Sequence, residues 1–193
     1  MSAQIDDGAG LSFEEFLRFE AAYGGDERFE LQGGTVVMMS GGSERHDLMV
    51  MALFRVIDPA FAGGPCRVFV HNRKLRTSDR DGWYPDLLVR CGEAADRLYE
   101  TDARIVVEVL SPSNDPRDRT ARLYAYQSLR SVKMILFVDA ERRVVTLHER
   151  TAEGFWGERQ VFDATVEVAG TAQVAVLDVG ALWRDVDGAV TRD

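Results

Sequence analysis

Hydrophobic positions recur along this chain with two different periods, and the changes of period mark its elements. "LSFEEFLRFEA" carries Phe13, Phe16 and Leu17 at helical spacing. Ser12 precedes the run and Glu15 follows it by three, a capping box that predicts a short helix through Glu20. "RFELQGGTVVMMS" instead shows two short runs around Gly33-Gly34, the pattern of a β-hairpin. In "SERHDLMVMALFRVIDPAF" the apolar residues Leu48, Met51, Ala52 and Val56 return to helical spacing, with Ser43 as cap and Pro59 as stop. "CRVFVHNRKLR" alternates as one strand, "DRDGWYP" reads as a turn, and "DLLVR" is a short strand entered through Pro85.

"ARIVVEVLS" is rich in β-branched residues and reads as a central strand. Asp115 can cap the next helix, with Pro116 at its first position, and that helix runs to about Arg130. "VKMILFVDA" is a second buried strand, "RRVVTLHER" and "GFWGERQVF" form a hairpin, and "LDVGALWRDV" is a short closing helix. The pattern predicts an α/β (α+β) fold, a mixed sheet with helices in one domain over residues 1–193, with residues 1–10 as a flexible tail. It contains no repeats or linkers.

Composition narrows the picture. A chain of 193 residues that is 46% hydrophobic can bury one sizeable core. No apolar run is long enough to span a bilayer, and "MSAQIDDGAG" lacks the basic and apolar regions of a signal peptide. Cys66 and Cys91, the only cysteines, are expected as free thiols in a reducing compartment, which places the protein in the cytoplasm. A formal net charge of −9 argues against broad, non-specific binding to nucleic acid, though a local basic groove is compatible with it. Only Lys74 and Lys133 among the 23 basic residues are lysine.

The candidate chemistry lies in acids set among aliphatic residues. In the strand around Glu108, Ile105, Val107 and Val109 point one way and Val106, Glu108 and Leu110 the other. An ionised carboxylate there needs a metal, a cation or hydrogen bonds; the plain alternative is a salt bridge to an arginine of a neighbouring helix. Asp86 repeats the pattern in "YPDLLV", where the alternative is a turn residue at a strand end. Glu30, between Phe29 and Leu31, is otherwise an exposed alternation residue. Three acids on neighbouring strands suggest an oxygen-ligand site for Mg²⁺ or Mn²⁺. Zinc is disfavoured, because the histidines and cysteines lack ligand spacing.

The ordered segments "FEEFL", "RFELQGGTVVMMS", "SERHDLMV", "YPDLLV", "VVEVLSPSNDPRDRTARLYAY" and "VKMILFVD" resemble the Uma2 family (DUF820) from about Leu11 to Leu182. That resemblance implies the PD-(D/E)xK nuclease fold, a restriction endonuclease-like mixed sheet flanked by helices. It implies a metal site in which Asp86 and Glu108 match the two acidic positions and the carbonyl of Val109 is a third ligand. Glu30 matches the acid of the family's first hairpin, and His46 a histidine of its second motif that contacts phosphate or tunes the metal.

The departure is the lysine. The general pattern places it two residues after the second acid, where this chain has Leu110. Uma2-like chains carry it on the following helix, where this chain has Arg122. Asp118 precedes Arg122 by four, so the two can pair on one helix face. Arginine can offset charge in the transition state but stays protonated and cannot be a general base. Lys74 is a second candidate cation, otherwise a solvated strand-end lysine. Lys74, Arg119 and His46 are candidate substrate contacts. Trp83 and Tyr84 are expected to pack rather than to stack on a base, and His71 and His148 are expected on strand surfaces.

The resulting expectation is a Mg²⁺- or Mn²⁺-dependent endonuclease cleaving DNA, with Glu30, Asp86, Glu108 and Arg122 as catalytic residues. The alternative is a catalytically silent member of the fold, a dimeric binding or structural module in which Arg122 pairs the acids. An enzyme that reuses the fold on another substrate is the third reading. DNA and a second copy of the chain in a twofold dimer are the expected partners, with no membrane.

Overall fold

A computed structural model describes residues 10–39, 41–93, 96–111 and 116–190. Ser12 caps α1 (Phe13–Ala22) with the reciprocal Glu15 bond of a capping box, and Ser43 caps α2 (Glu44–Phe61). Between them, β1 (Phe29–Gln32) and β2 (Thr35–Met38) pair antiparallel across Gly33 (φ 57°) and Gly34 (φ 86°). Positive φ at both turn positions is the two-residue hairpin geometry that glycine allows. At Gly34 a Cβ would also fall 2.5 Å from the Arg80 guanidinium.

The main sheet has six strands. β3 (Cys66–Val70), β6 (Leu87–Cys91), β7 (Ala103–Leu110), β8 (Met134–Asp139), β9 (Val144–Arg150) and β10 (Trp156–Val161) lie in the order β10-β9-β8-β7-β6-β3. The β7–β8 pair is parallel and the other neighbours are antiparallel, so the sheet is mixed and β7 is central, as its composition predicts. A smaller sheet, ordered β2-β1-β5-β4, adds β4 (Leu75–Ser78) and β5 (Asp81–Trp83).

The alternation along β7 decides what lies on each face. Ile105, Val107 and Val109 join a large core with Leu53 and Ile57 of α2 and Leu182 and Trp183 of α4 (Val179–Val190). Val106, on the opposite face, joins Trp83, Phe137 and Tyr126 of α3 (Pro116–Ser128). Each such fully buried side chain contributes roughly 1.5–3 kcal/mol of transfer free energy. α1 packs Phe13 and Phe16 against Leu31 of the smaller sheet. Two buried layers thus meet the central strand, and its one acid sits on the α3 side.

Several expectations are corrected. "CRVFVHNRKLR" is not one strand: His71 takes a left-handed conformation (φ 56°), and the chain leaves β3 for β4 in the other sheet. "DRDGWYP" supplies β5 rather than only a turn. Pro59 does not end α2, which continues to Phe61; near the C-terminus its missing N–H costs a single intrahelical bond. α3 ends at Ser128. A further hairpin, β11 (Thr165–Ala169) with β12 (Val174–Asp178), buries Val166, Val168, Ala175 and Leu177 on α2 and α4.

The cysteines are not free thiols. β3 and β6 run antiparallel with Cys66 directly opposite Cys91, and the two form a disulfide. Cross-strand register brings together residues that are 25 apart in sequence. The expected cap Asp115, and residues 1–9 of the expected tail, lie outside the described residues. No described helix is long and apolar enough to cross a membrane.

Candidate active site

The β6–β7 pairing places Leu87 opposite Val107, which brings Asp86, just before β6, close to Glu108 and Val109. The Val109 N–H donates to Asp86 Oδ2 at 2.8 Å. β1 of the smaller sheet contributes Glu30, whose Oε1 accepts from the Tyr84 N–H at 2.9 Å. α3 presents Asp118, Arg122 and Tyr126 at a spacing of four, one above another on the face that covers β7. The first turn of α2 adds His46, and the turn after β3 adds His71. Apart from the buried Tyr126, all of these side chains line one cavity of about 720 Å³, together with Arg119.

Arg122 is the hub. Its Nη1 donates to Glu30 Oε1 (3.1 Å) and Glu108 Oε1 (3.2 Å), its Nη2 to Glu30 Oε2 (2.7 Å) and its Nε to Asp118 Oδ2 (2.9 Å). The guanidinium also lies 5.1 Å from the Trp83 ring centroid. Burial works against its charge, but Glu108, Tyr126, Glu30 and Asp118 outweigh burial and hold it firmly protonated. One cation therefore serves three carboxylates.

Glu108 is left short of positive charge. Burial pushes its carboxyl up to about 8, and nearby Asp86 and Glu30 push the same way, against Arg122 and the Tyr126 hydrogen bond. Arg122 and the Tyr126 hydroxyl both donate to Oε1, so Oε2 receives neither of these bonds. Asp86 has a different partner: His46 Nε2 lies 3.2 Å from Oδ2, and His71 Nδ1 lies 3.7 Å from Oδ1. The hydrogen bond to Asp86 raises His46 to about 9 in spite of burial, so His46 is an imidazolium at neutral pH.

This arrangement fits a hard divalent cation. Two carboxylates, Asp86 and Glu108, line the cavity beside Val109, the donors are oxygens, and the buried acid lacks full compensation. Among the described residues, no three acidic, histidine or cysteine side chains converge on one point. A cation would therefore rely on the two carboxylates, a backbone carbonyl and water, a set that suits Mg²⁺.

The structure brings together Glu30, Asp86, Glu108, Val109, Arg122, His46 and Arg119. Glu30 is not an exposed alternation residue: it is 2% exposed, because the α3 side of the main sheet closes over β1. Lys74 stands apart and is not solvated. It is buried against the Phe13, Phe16 and Tyr84 rings and pairs with Glu20. Trp83 packs in the core, as expected.

Two site residues escape the sequence reading. His71 looks like a strand residue, yet its left-handed turn directs it to Asp86. Tyr126, eighteen residues after Glu108, donates to that acid from a fully buried position; the i, i+4 step from Arg122 was the available signal. His148 is also not a surface residue. It is buried with its ring edge-on to Phe137, and burial lowers its basicity.

Comparison with known proteins identifies the family and the fold. The family described as Uma2, "Putative restriction endonuclease", matches residues 13–180. The uncharacterized protein slr1290 of Synechocystis sp. is 30% identical over 152 residues, covering 76% of this chain and 77% of that one. A second protein of the same organism, sll1609, is 20% identical over 163 residues, covering 82% and 91%. A crystal structure described as a putative nuclease belonging to DUF820, from Anabaena variabilis, superposes with a TM-score of 0.73 at 15% identity, over 91% of this chain and 99% of that one. The fold is therefore that of a nuclease-like protein, and the chain belongs to the Uma2 (DUF820) family.

Proposed function

We propose that this protein is a metal-dependent endonuclease that hydrolyses phosphodiester bonds in DNA. The observation that carries the reading is Asp86 beside the under-compensated Glu108 in one solvent-accessible cavity. Bound by these two acids and the Val109 carbonyl, Mg²⁺ or Mn²⁺ would supply Lewis-acid activation of water and charge for the phosphate.

The chain's own residues divide the remaining work. Arg122 stays protonated, so it contributes positive charge and not proton abstraction. Its bidentate hold on Glu30 fixes the guanidinium beside Glu108. The imidazolium of His46 adds a second positive charge at Asp86. Tyr126 and Arg122 together fix Glu108 through Oε1, which orients the remaining oxygen. A twofold dimer belongs to the same proposal: β10 is an edge strand with Phe155 and Phe162 exposed beside it, and sedimentation equilibrium tests it.

One observation favours the second reading, a catalytically silent member. Arg122 contacts both Glu30 and Glu108, as a charge replacing a metal would. Asp86, however, is held by His46 rather than by Arg122. Incubation of supercoiled circular DNA with Mg²⁺ or Mn²⁺ separates the two readings. The nuclease reading expects nicks with the wild type and none with Asp86→Asn or Glu108→Gln. Intact DNA under all conditions, with metal bound, would leave the silent reading.

A further inference from the structure

Two histidines flank Asp86 on the wall of the cavity, and they are held in different ways. His46 has both ring nitrogens 3.2 Å from a carboxylate oxygen, Nδ1 at Asp47 and Nε2 at Asp86, and its side chain is 12% exposed. The His71 side chain is 39% exposed. Its Nδ1 lies 3.7 Å from Asp86 Oδ1, beyond hydrogen-bond distance, and among the described residues no hydrogen bond reaches either of its ring nitrogens.

The His71 ring is nonetheless fixed in place. Its backbone N–H donates to the Asp86 carbonyl at 2.8 Å, one step beyond the Val70–Leu87 pair of the β3–β6 ladder. Its own carbonyl accepts from the Arg73 N–H at 2.7 Å. The ring stacks on His46, with centroids 6.2 Å and planes 29° apart. Holding Asp86 does not account for it, because Asp86 Oδ2 already takes the Val109 N–H at 2.8 Å and His46 at 3.2 Å. Metal ligation does not account for it either, since among the described residues no third such side chain converges with Asp86 and Glu108. What His71 offers is a ring N–H beside the acids, and an anionic oxygen is the strong acceptor for such a donor. Arg122 cannot fill that role while its donors serve Glu30, Glu108 and Asp118.

We propose that His71 is a substrate-binding residue, donating a ring N–H to a non-bridging oxygen of the DNA phosphate that enters the cavity at Asp86. This rests on the nuclease reading and adds a phosphate contact to it.

Two substitutions test the contact without disturbing the turn. His71→Gly removes the ring and suits the left-handed backbone (φ 56°), so the variant should fold. His71→Asn also accepts that conformation and keeps a side-chain N–H. Fluorescence anisotropy of a labelled 20-base-pair duplex, in Ca²⁺ to read binding without cleavage, measures DNA affinity, and calorimetry measures Mn²⁺ affinity. His71→Gly should weaken DNA binding about tenfold, the weight of one hydrogen bond to a charged group. His71→Asn should recover at least threefold of that loss, and both variants should hold Mn²⁺ within threefold of wild type.

Unchanged DNA affinity in His71→Gly, an equal loss in both variants, or Mn²⁺ binding lost with the ring would overturn the proposal, as would a wild type that binds no duplex. Weaker DNA binding in His71→Gly with no Mn²⁺ bound even by the wild type would keep the phosphate contact and sink the nuclease reading. Mn²⁺ bound by the wild type, with DNA affinity indifferent to His71→Gly, would do the reverse.

Discussion

Two of the buried glutamates, Glu100 and Glu108, face arginines in opposite proportions. Glu100 is fully buried and surrounded by Arg73, Arg90 and Arg97; Arg73 donates to it through Nε at 2.7 Å, and the other two approach at 3.7 and 3.4 Å. Glu108 shares the single Arg122 with Glu30 and Asp118. Three cations around Glu100, one of them shared with Asp102, make a structural knot that ties the chain before β7 to the turn after β3. One cation for three acids, on the wall of a cavity, leaves room for another. The contrast answers what an arginine-rich composition obscures: a nearby arginine does not by itself make an acid structural.

The sharpest way to break the comparison is to neutralise each glutamate. Glu100→Gln strands the buried Arg90 and the part-buried Arg73, while Arg97 keeps Asp102, and should cost about 3–5 kcal/mol in urea unfolding. Glu108→Gln keeps an acceptor for Arg122 and Tyr126 and removes a carboxylate whose charge burial disfavours, so it should stay within about 1 kcal/mol of wild type at pH 7. Equal losses would mean that both acids are structural. Next in size, Arg122→Lys keeps the charge but loses the bidentate grip on Glu30, and should cost about 1–3 kcal/mol. Tyr126→Phe removes one buried hydrogen bond to Glu108 and should cost about 1–2 kcal/mol.

The smallest effect concerns pH. His46 is raised from 6.5 to about 9 by its bond to Asp86. A raised base stabilises the fold fully below about 6.5 and loses that contribution as pH rises through 9. The stability gap between wild type and His46→Gln should therefore be widest near pH 6 and close by about pH 10. A gap that widens toward high pH would contradict the assignment.

Much of this was legible in the sequence. The alternation of β7 and the capping signals of α1 and α2 rest on local spacing, so they could be read without partners. Glu108 stood out for the same reason, as the one acid in an aliphatic strand. Glu30 did not, because its burial depends on a second sheet packing under α3, a contact 92 residues away through Arg122. His71 depends on a single left-handed residue inside an alternating run, and the disulfide depends on the register between β3 and β6. The β11–β12 hairpin did alternate, in "TVEVAGTAQVAVLD", and its small residues hid the period. Local patterns were readable; features made by pairing distant strands were not.

Calorimetric titration of Mn²⁺ tests the central claim, that Asp86 and Glu108 together await a cation. The account predicts saturable binding of one ion to the wild type, lost in Asp86→Asn and in Glu108→Gln. No binding to the wild type, or binding that survives both substitutions, would contradict it and return Glu108 to the company of Glu100.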